Sequence, residues 1–317
     1  MTAEPKELVL GGQAVIEGVM MKGRSTFAVA VRTAGGEIRV RDFPIAEGPV
    51  RARLSRVPFV RGVVTMAAML VIGYRALQFS ADEAMADAEK PGTAGDAAGG
   101  KGAKGKMGTL AMTGTLFLAL AAGIGLFFLV PLFLARGLAA FWPAVAGPIA
   151  FNLADGVIRV LIFVGYILAI GLSKDIRRVF QYHGAEHKVV HAYEREADLS
   201  PESVKRFPNL HPRCGTSFLL FVMVISILVF SLIPHGSSLA AKALMRLLLL
   251  PVIAGISYEA LRLSARKAGS PLFRALVAPG LVLQKLTTRE PDVAQIEVAI
   301  ASFRRVAPGG EGVPRVG

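Results

Sequence analysis

The fold class this sequence predicts is mainly α: a polytopic helical membrane protein with a small β element at its N-terminus. Three observations carry that prediction. Hydrophobic residues make up 53% of the 317-residue chain and charged residues only 19%, with a mean hydropathy of +0.52. A soluble domain is usually less apolar and more charged. The charges are also clustered, so that residues 107–135, between Lys106 and Arg136, carry none. A helix needs roughly 20 apolar residues to cross a bilayer core. Near the N-terminus the pattern changes from long apolar runs to strict alternation, which belongs to strands.

The alternating stretches are "FAVAVRT" (27–33) and "EIRVRDF" (37–43). Phe27, Val29 and Val31 share one face, Ile38 and Val40 another. Ala34-Gly35-Gly36 between them suits the positive φ of a tight hairpin. The preceding "LVLGGQAVIEGVMMKG" predicts a further short strand, and residues 1–56 form a cytosolic β-rich segment. Residues 57–80 are apolar but interrupted by Arg61 and Arg75, too closely spaced for a full span, which predicts an interfacial or partly inserted helix. Residues 81–108 are rich in Ala, Gly and Lys and predict a flexible linker.

Four spans follow, as two hairpins. The first hairpin (109–172) contains spans at about 109–135 and 150–172. Asp155 and Arg159 lie four apart in the second of these, placed to pair on one helix face. The other hairpin (216–263) contains spans at about 216–234 and 242–263. Between the hairpins lies a hydrophilic insert (173–215), and a helical segment (264–317) ends the chain. Asp292 or Thr288 is placed to cap its last helix, with Pro291 near the start.

Charge orients the bundle. Segment 174–215 holds eight Lys/Arg and segment 262–289 six, against one in 136–149 and two in 235–246. The positive-inside rule then puts the insert and both termini in the cytoplasm of a multi-pass protein of the bacterial inner (plasma) membrane. The formal net charge of +13 fits contact with anionic lipid headgroups. No nucleic-acid-binding motif accompanies it, so no nucleic-acid partner is expected. The N-terminal residues have no apolar core and predict no cleaved signal peptide. One cysteine, Cys214, excludes an intramolecular disulfide.

The chemistry-bearing stretch is "YHGAEHKVVHAYE" (182–194). On a helix, His183, Glu186, His187, His191 and Glu194 fall within an arc of about 140°. Histidines four apart on a helix can bind one transition metal through neutral imidazole nitrogens. Glu186 is then a ligand, an orienting group or a general base. "HGAEH" also fits the H-x-x-E-H pattern of one peptidase class, a short pattern that arises by chance. The alternative reading is a solvated helix face. "HPRCGTSF" (211–218) adds two more metal donors, His211 and Cys214, at the start of the third span. Its alternative is a Pro-Gly helix entry with an incidental cysteine. Glu259 lies late in the fourth span, where an ionisable side chain is a functional candidate by default. A pairing with Arg262 is the competing explanation. "GGQAVIEGVMMKGR" near the N-terminus fits neither nucleotide-binding glycine pattern.

Together "GGQAVIEGVMMKG", "VPFVRGVV", "YHGAEHKVVHAYE", "HPRCGTSFL", "SYEALRL" and "PGLVLQKLTTREPDVAQIEVAI" resemble the YqhQ-like family, over nearly the whole chain. The resemblance implies a bacterial integral membrane protein with a domain of unknown function, labelled a predicted metal-dependent enzyme. It supplies no substrate or reaction.

The functional expectation is a cytosol-facing site for a divalent metal, with zinc the natural choice for these donors. Its ligands are His183, His187, His211 and Cys214, its candidate catalytic carboxylates are Glu186 and Glu259, and hydrolysis is its reaction class. The alternative is a non-enzymatic scaffold or assembly factor that binds another membrane protein.

Overall fold

The computed structural model describes residues 11–46, 48–88, 106–212, 214–233, 237–266 and 270–307. Four strands form an antiparallel meander in the order β1 (Gly11–Val15), β2 (Gly18–Lys22), β3 (Thr26–Arg32) and β4 (Ile38–Pro44). "GGQAVIEGVMMK" thus supplies two strands, paired Val15 to Gly18 across a two-residue turn in which Glu17 takes a positive φ of 51°. The β3–β4 turn closes at Gly36, whose φ of +86° only glycine adopts without cost.

The register pairs Val29 with Met20, and Ala30 with both Val19 and Val40. Successive side chains point to opposite faces, so each face has its own apolar set. Val15, Met20, Phe27, Val29 and Val31 pack on Ile72, Ala76 and Phe79 of α2 (Val60–Ala88). Val19, Met21 and Ala30, with Ile38 and Val40, pack on α6 (Lys174–Glu194) and α11 (Val293–Val306). The sheet is therefore the middle layer of three, which is why β3 is buried along its whole interior.

Of the two caps expected for α11, Asp292 forms it. Its side chain accepts from Gln295 N at 2.7 Å, and Gln295 Oε1 accepts from Asp292 N at 3.0 Å. This is a capping box. Ser302 Oγ donates to Ala28 O at 3.0 Å and seats the helix on the sheet.

After α1 (Pro49–Leu54), α2 runs past the expected start of the linker. Residues 81–88 are its last two turns, fastened to the sheet by Arg39–Glu83 (2.5 Å) and by Ala34 N donating to Asp87 Oδ2 (2.7 Å). The remaining linker residues up to 105 lie outside the described residues. The apolar helices are α3 (Lys106–Ile124), a π-helical turn (Gly125–Leu129), α4 (Val130–Phe141), α5 (Pro148–Ile170), α8 (Gly215–Ser231) and α9 (Leu239–Arg266). The short α7 (Pro201–Lys205) precedes α8, and α10 (Pro271–Thr287) follows α9.

Among the described residues, four stretches are long and apolar enough to cross a membrane: 60–87, 113–141, 148–170 and 240–264. Two of the expected spans, 150–172 and 242–263, coincide with the last two. The first is continued to Phe141 by the π-turn and α4. The stretch expected at 216–234 forms a shorter helix, apolar over 218–231. The stretch expected to be interfacial forms the 29-residue α2 instead, although the turns bearing Ile72, Ala76 and Phe79 are buried against the sheet rather than free.

Phe303 is fully buried where α11, the sheet and α6 meet. Phe303→Ala removes about 3–5 kcal/mol of stability. Thermal unfolding of the purified protein measures it, and a loss below about 1 kcal/mol would contradict this placement.

Candidate metal centre

Helix α6 is polar in composition yet buried over Tyr182, Gly184–Val190 and Ala192. Buried polar side chains need partners, and here most partners are carbonyls at the C-terminal ends of α7 and α10 and in the loop after α7. His183 Nδ1 lies 2.8 Å from Thr287 O, His187 Nδ1 2.7 Å from Asn209 O, and His191 Nε2 2.8 Å from Leu210 O. Lys188, 3% exposed, donates to Lys205 O (2.9 Å) and Phe207 O (2.6 Å) and pairs with Glu290 (2.8 Å). The helix thereby holds two loops, 205–211 and 287–290, against itself. Gly184 lets the second approach, because a Cβ there would lie 2.2 Å from Arg289 O.

A carbonyl at Nδ1 accepts that nitrogen's proton, which leaves Nε2 of His183 and of His187 as unprotonated donors. His183 Nε2 lies 3.1 Å from Cys214 Sγ. His187 Nε2 is buried and has no hydrogen-bond partner. The two nitrogens and the sulfur all lie within 4.8 Å of one another, close enough to hold one metal ion. Burial holds the His187 imidazole pKa down, opposed by Cys214 and the Asn209 carbonyl, so the ring stays neutral and able to ligate. Cys214 arrives by being the N-cap of α8, where its sulfur accepts from Thr216 N (3.5 Å) and Thr216 Oγ1 (3.3 Å).

The four expected ligands do not form one set. His211 stands with His191 and Glu194 in a second group, its Nε2 3.4 Å from Glu194. The ring centroids form a run, His183 to His187 at 4.5 Å, His187 to His211 at 5.8 Å and His211 to His191 at 4.5 Å. The His191 pKa is also lowered by burial. Gln284 positions His211, its Oε1 accepting from His211 N (2.9 Å) and its Nε2 donating to His211 O (2.8 Å).

The two expected carboxylates lie elsewhere. Glu186 faces the sheet side of α6, where Gly12 N donates to it and a Cβ on Gly12 would come within 2.5 Å of its Cδ. Burial raises its pKa, against His183 and the Gly12 N–H. Glu259 takes part in neither histidine group. Its carboxylate accepts from Arg61 through both Nε (2.6 Å) and Nη2, and from Phe59 N (3.2 Å), so it ties the start of α2 to α9. Its principal partner is Arg61, not the sequence-adjacent Arg262.

The family model described as protein of unknown function DUF1385 matches residues 57–308. The chain belongs to this family. Its relative in Bacillus subtilis (strain 168), "Uncharacterized protein YqhQ", is 34% identical over 296 residues, 93% of this chain and 91% of that protein. Neither description names an activity or a metal. No solved structure matches the chain. The DUF1385 match runs through both histidine groups and ends just beyond α11.

Gln284 and Lys188 were not singled out from the sequence. The only signal for Gln284 is an uncharged polar residue within the apolar "GLVLQKL". Gln284→Ala takes the acceptor from the buried His211 N–H, while His211 O keeps its bond from Cys214 N (3.2 Å), and costs about 1–3 kcal/mol. Thermal unfolding reads the loss, and a loss below about 0.5 kcal/mol would contradict this role of Gln284.

Proposed function

We propose that this chain is a multi-pass protein of the bacterial inner membrane whose His183, His187 and Cys214 hold a divalent metal, best zinc, at the cytoplasmic surface. The observation that carries the metal reading is the buried, unpartnered Nε2 of His187, which faces two further donors. A buried nitrogen without a partner is costly unless something binds it. Thiolate plus imidazole is a donor set suited to zinc. Both ligating histidines have the carbonyl at Nδ1 that metal-bound histidines typically use.

Membrane insertion is supported by the outward side chains of the long apolar helices. Phe117, Leu118, Leu161 and Leu248 are each at least 65% exposed. Soluble monomers rarely present so continuous an apolar surface. The excess of Lys and Arg in the insert and C-terminal segment supports a cytoplasmic histidine end and cytoplasmic termini, facing anionic headgroups. Helix α2 has Ile72, Ala76 and Phe79 under the sheet. The twelve residues before Ile72 rise only about 18 Å, which favours an interfacial or partly inserted helix over a full span.

Three protein donors leave one tetrahedral position for water, and a metal there would supply an activated water for hydrolysis. Within the hydrolytic reading Glu186, set beside His183 and buried against the sheet, is the candidate general base. Glu259, already engaged by Arg61, is a positioning group for α2. A second reading is favoured by the burial of the donors, His187 at 2% and Cys214 at 9% exposed. A centre so enclosed suits a structural metal that clamps α6 to α8 in a scaffold binding another membrane protein.

Metal analysis of purified protein tests the site. About one equivalent of metal is expected, with His183→Ala, His187→Ala and Cys214→Ala each lowering retention at least ~10-fold and His191→Ala retaining it. Full metal content in Cys214→Ala would overturn the assignment. Chelation then separates the two readings: a fall in Tm marks a structural clamp, whereas loss of hydrolytic turnover at unchanged Tm marks a catalytic centre.

A further inference from the structure

The far end of the apolar bundle holds a second polar cluster that the metal reading does not use. Asp155 and Arg159 on α5 and Arg246 on α9 are each at most 3% exposed. Asp155 Oδ2 accepts from Arg159 Nη2 and Oδ1 from Arg246 Nη1, both at 2.8 Å. Arg159 Nη1 donates to Ser226 Oγ at 2.7 Å. Phe230 of α8 lies 5.0 Å from the Arg159 guanidinium carbon and 4.9 Å from that of Arg246. Lys242, one turn before Arg246, rests its ammonium 4.9 Å from the Phe151 ring.

The charges do not cancel. Two buried guanidiniums share one carboxylate, with Lys242 a turn away along α9, and Nε of both arginines is buried without a hydrogen-bond partner. A purely structural ion pair would be neutral and fully bonded, because uncompensated charge at this depth is costly. The cluster therefore has the electrostatic shape of a site for an anion.

Beside it lies a cavity of about 320 Å³, between the π-helical turn and α9. Phe128, Leu129, Leu244, Leu247 and Leu250 make its walls apolar, and Arg246 is its charged residue. The volume is in the range of small-ligand sites. The π-turn is a deviation of the kind often found at binding sites, and it contributes Phe128, which also lies 5.3 Å from the Arg159 guanidinium carbon. The cavity thus joins one arginine to an apolar lining, the two features an amphiphile requires.

We propose that this cavity binds an anionic lipid, with an acyl chain between the π-turn and α9 and its anionic head held at Arg246. The arginine fork suits either a carboxylate or a phosphate head. Free fatty acid and anionic phospholipid share that chemistry. The proposal rests on the membrane reading of α5 and α9, which carbonate-resistant membrane association checks by itself.

Native mass spectrometry of detergent-purified protein, followed by extraction of the bound molecule, tests the site. Expected is about one retained anionic lipid, its mass distinguishing fatty acid from phospholipid. Delipidated protein is then titrated separately with a brominated fatty acid, a brominated anionic phospholipid and a zwitterionic phospholipid, with Trp142 emission and native mass spectra recorded. Arg246→Gln should weaken the anionic ligand about 10-fold, the loss of one charge-assisted contact. Leu247→Trp, at an exposed position that leaves every charged group in place, should sharply weaken binding by narrowing the cavity, read by native mass spectrometry because the new indole adds its own emission. Equal affinity for anionic and zwitterionic lipid, or unchanged binding in folded Leu247→Trp, would overturn the proposal. A chain that stays membrane-associated but retains no lipid would overturn it while leaving the membrane reading intact.

Discussion

The burial of a polar helix is the constraint on which the rest of the structure depends. Helix α6 lies between the sheet on one side and two irregular loops on the other, so its histidines, Lys188 and Glu186 lose water on folding. Each must find a protein partner or leave an uncompensated cost. The loops 205–211 and 287–290 are shaped by that need, since their carbonyls receive His187, His191, Lys188 and His183. The conformation of "FPNLH" and "TTREPD" is thus explained by the helix they enclose. The exception among these groups is His187 Nε2, and a fold that satisfies its neighbours so fully makes that one open position informative.

The sheet reinforces the constraint from the other face. Because β1 must approach α6 closely enough for Gly12 N to reach Glu186, residue 12 has no room for a side chain. Glu17, in the next turn, accepts from Arg178 and Tyr182 of the same helix, and burial raises the Tyr182 pKa first of all. The glycine-rich N-terminal stretch, which fits no nucleotide-binding pattern, has a simpler purpose. It is the surface on which the histidine helix rests.

Local periodicity was legible in the sequence and long-range partnership was not. Alternation in 27–33 and 37–43 identifies both strands and their faces, because a strand's side chains have a period of two whatever packs against them. The Asp155–Arg159 pair follows from four-residue helical spacing, and Asp292 from the chemistry of caps. Angular position on α6 brings His183 and His187 together correctly, but a helical wheel does not say which element faces which sector. His211 joins His191 and Glu194 instead, because Gln284, far along the chain, holds its backbone. Arg246 completes the Asp155 pair from another helix, and Arg61 displaces Arg262 as the main partner of Glu259. Uncharged length likewise misjudges α2 and α8. Two arginines interrupt the first without breaking the helix, since Arg61 is neutralised by Glu259, whereas α8 ends within its apolar run.

The candidate metal centre lies on a seam. His183 and His187 belong to the layer built on the sheet, while Cys214 begins α8, which belongs to the apolar bundle. At that point the His183–Cys214 contact joins the two layers directly. An ion bound by all three donors would convert a contact between layers into a fixed joint. Helix α8 extends that joint into the bundle, because Ser226, about 18 Å along it from Cys214, meets Arg159. One short helix therefore has a soft metal donor at its first turn and an arginine partner near its last. Its orientation is set by polar groups at both ends, although its composition is almost wholly apolar, and the packing of its apolar face alone would leave its rotation and axial position far less determined.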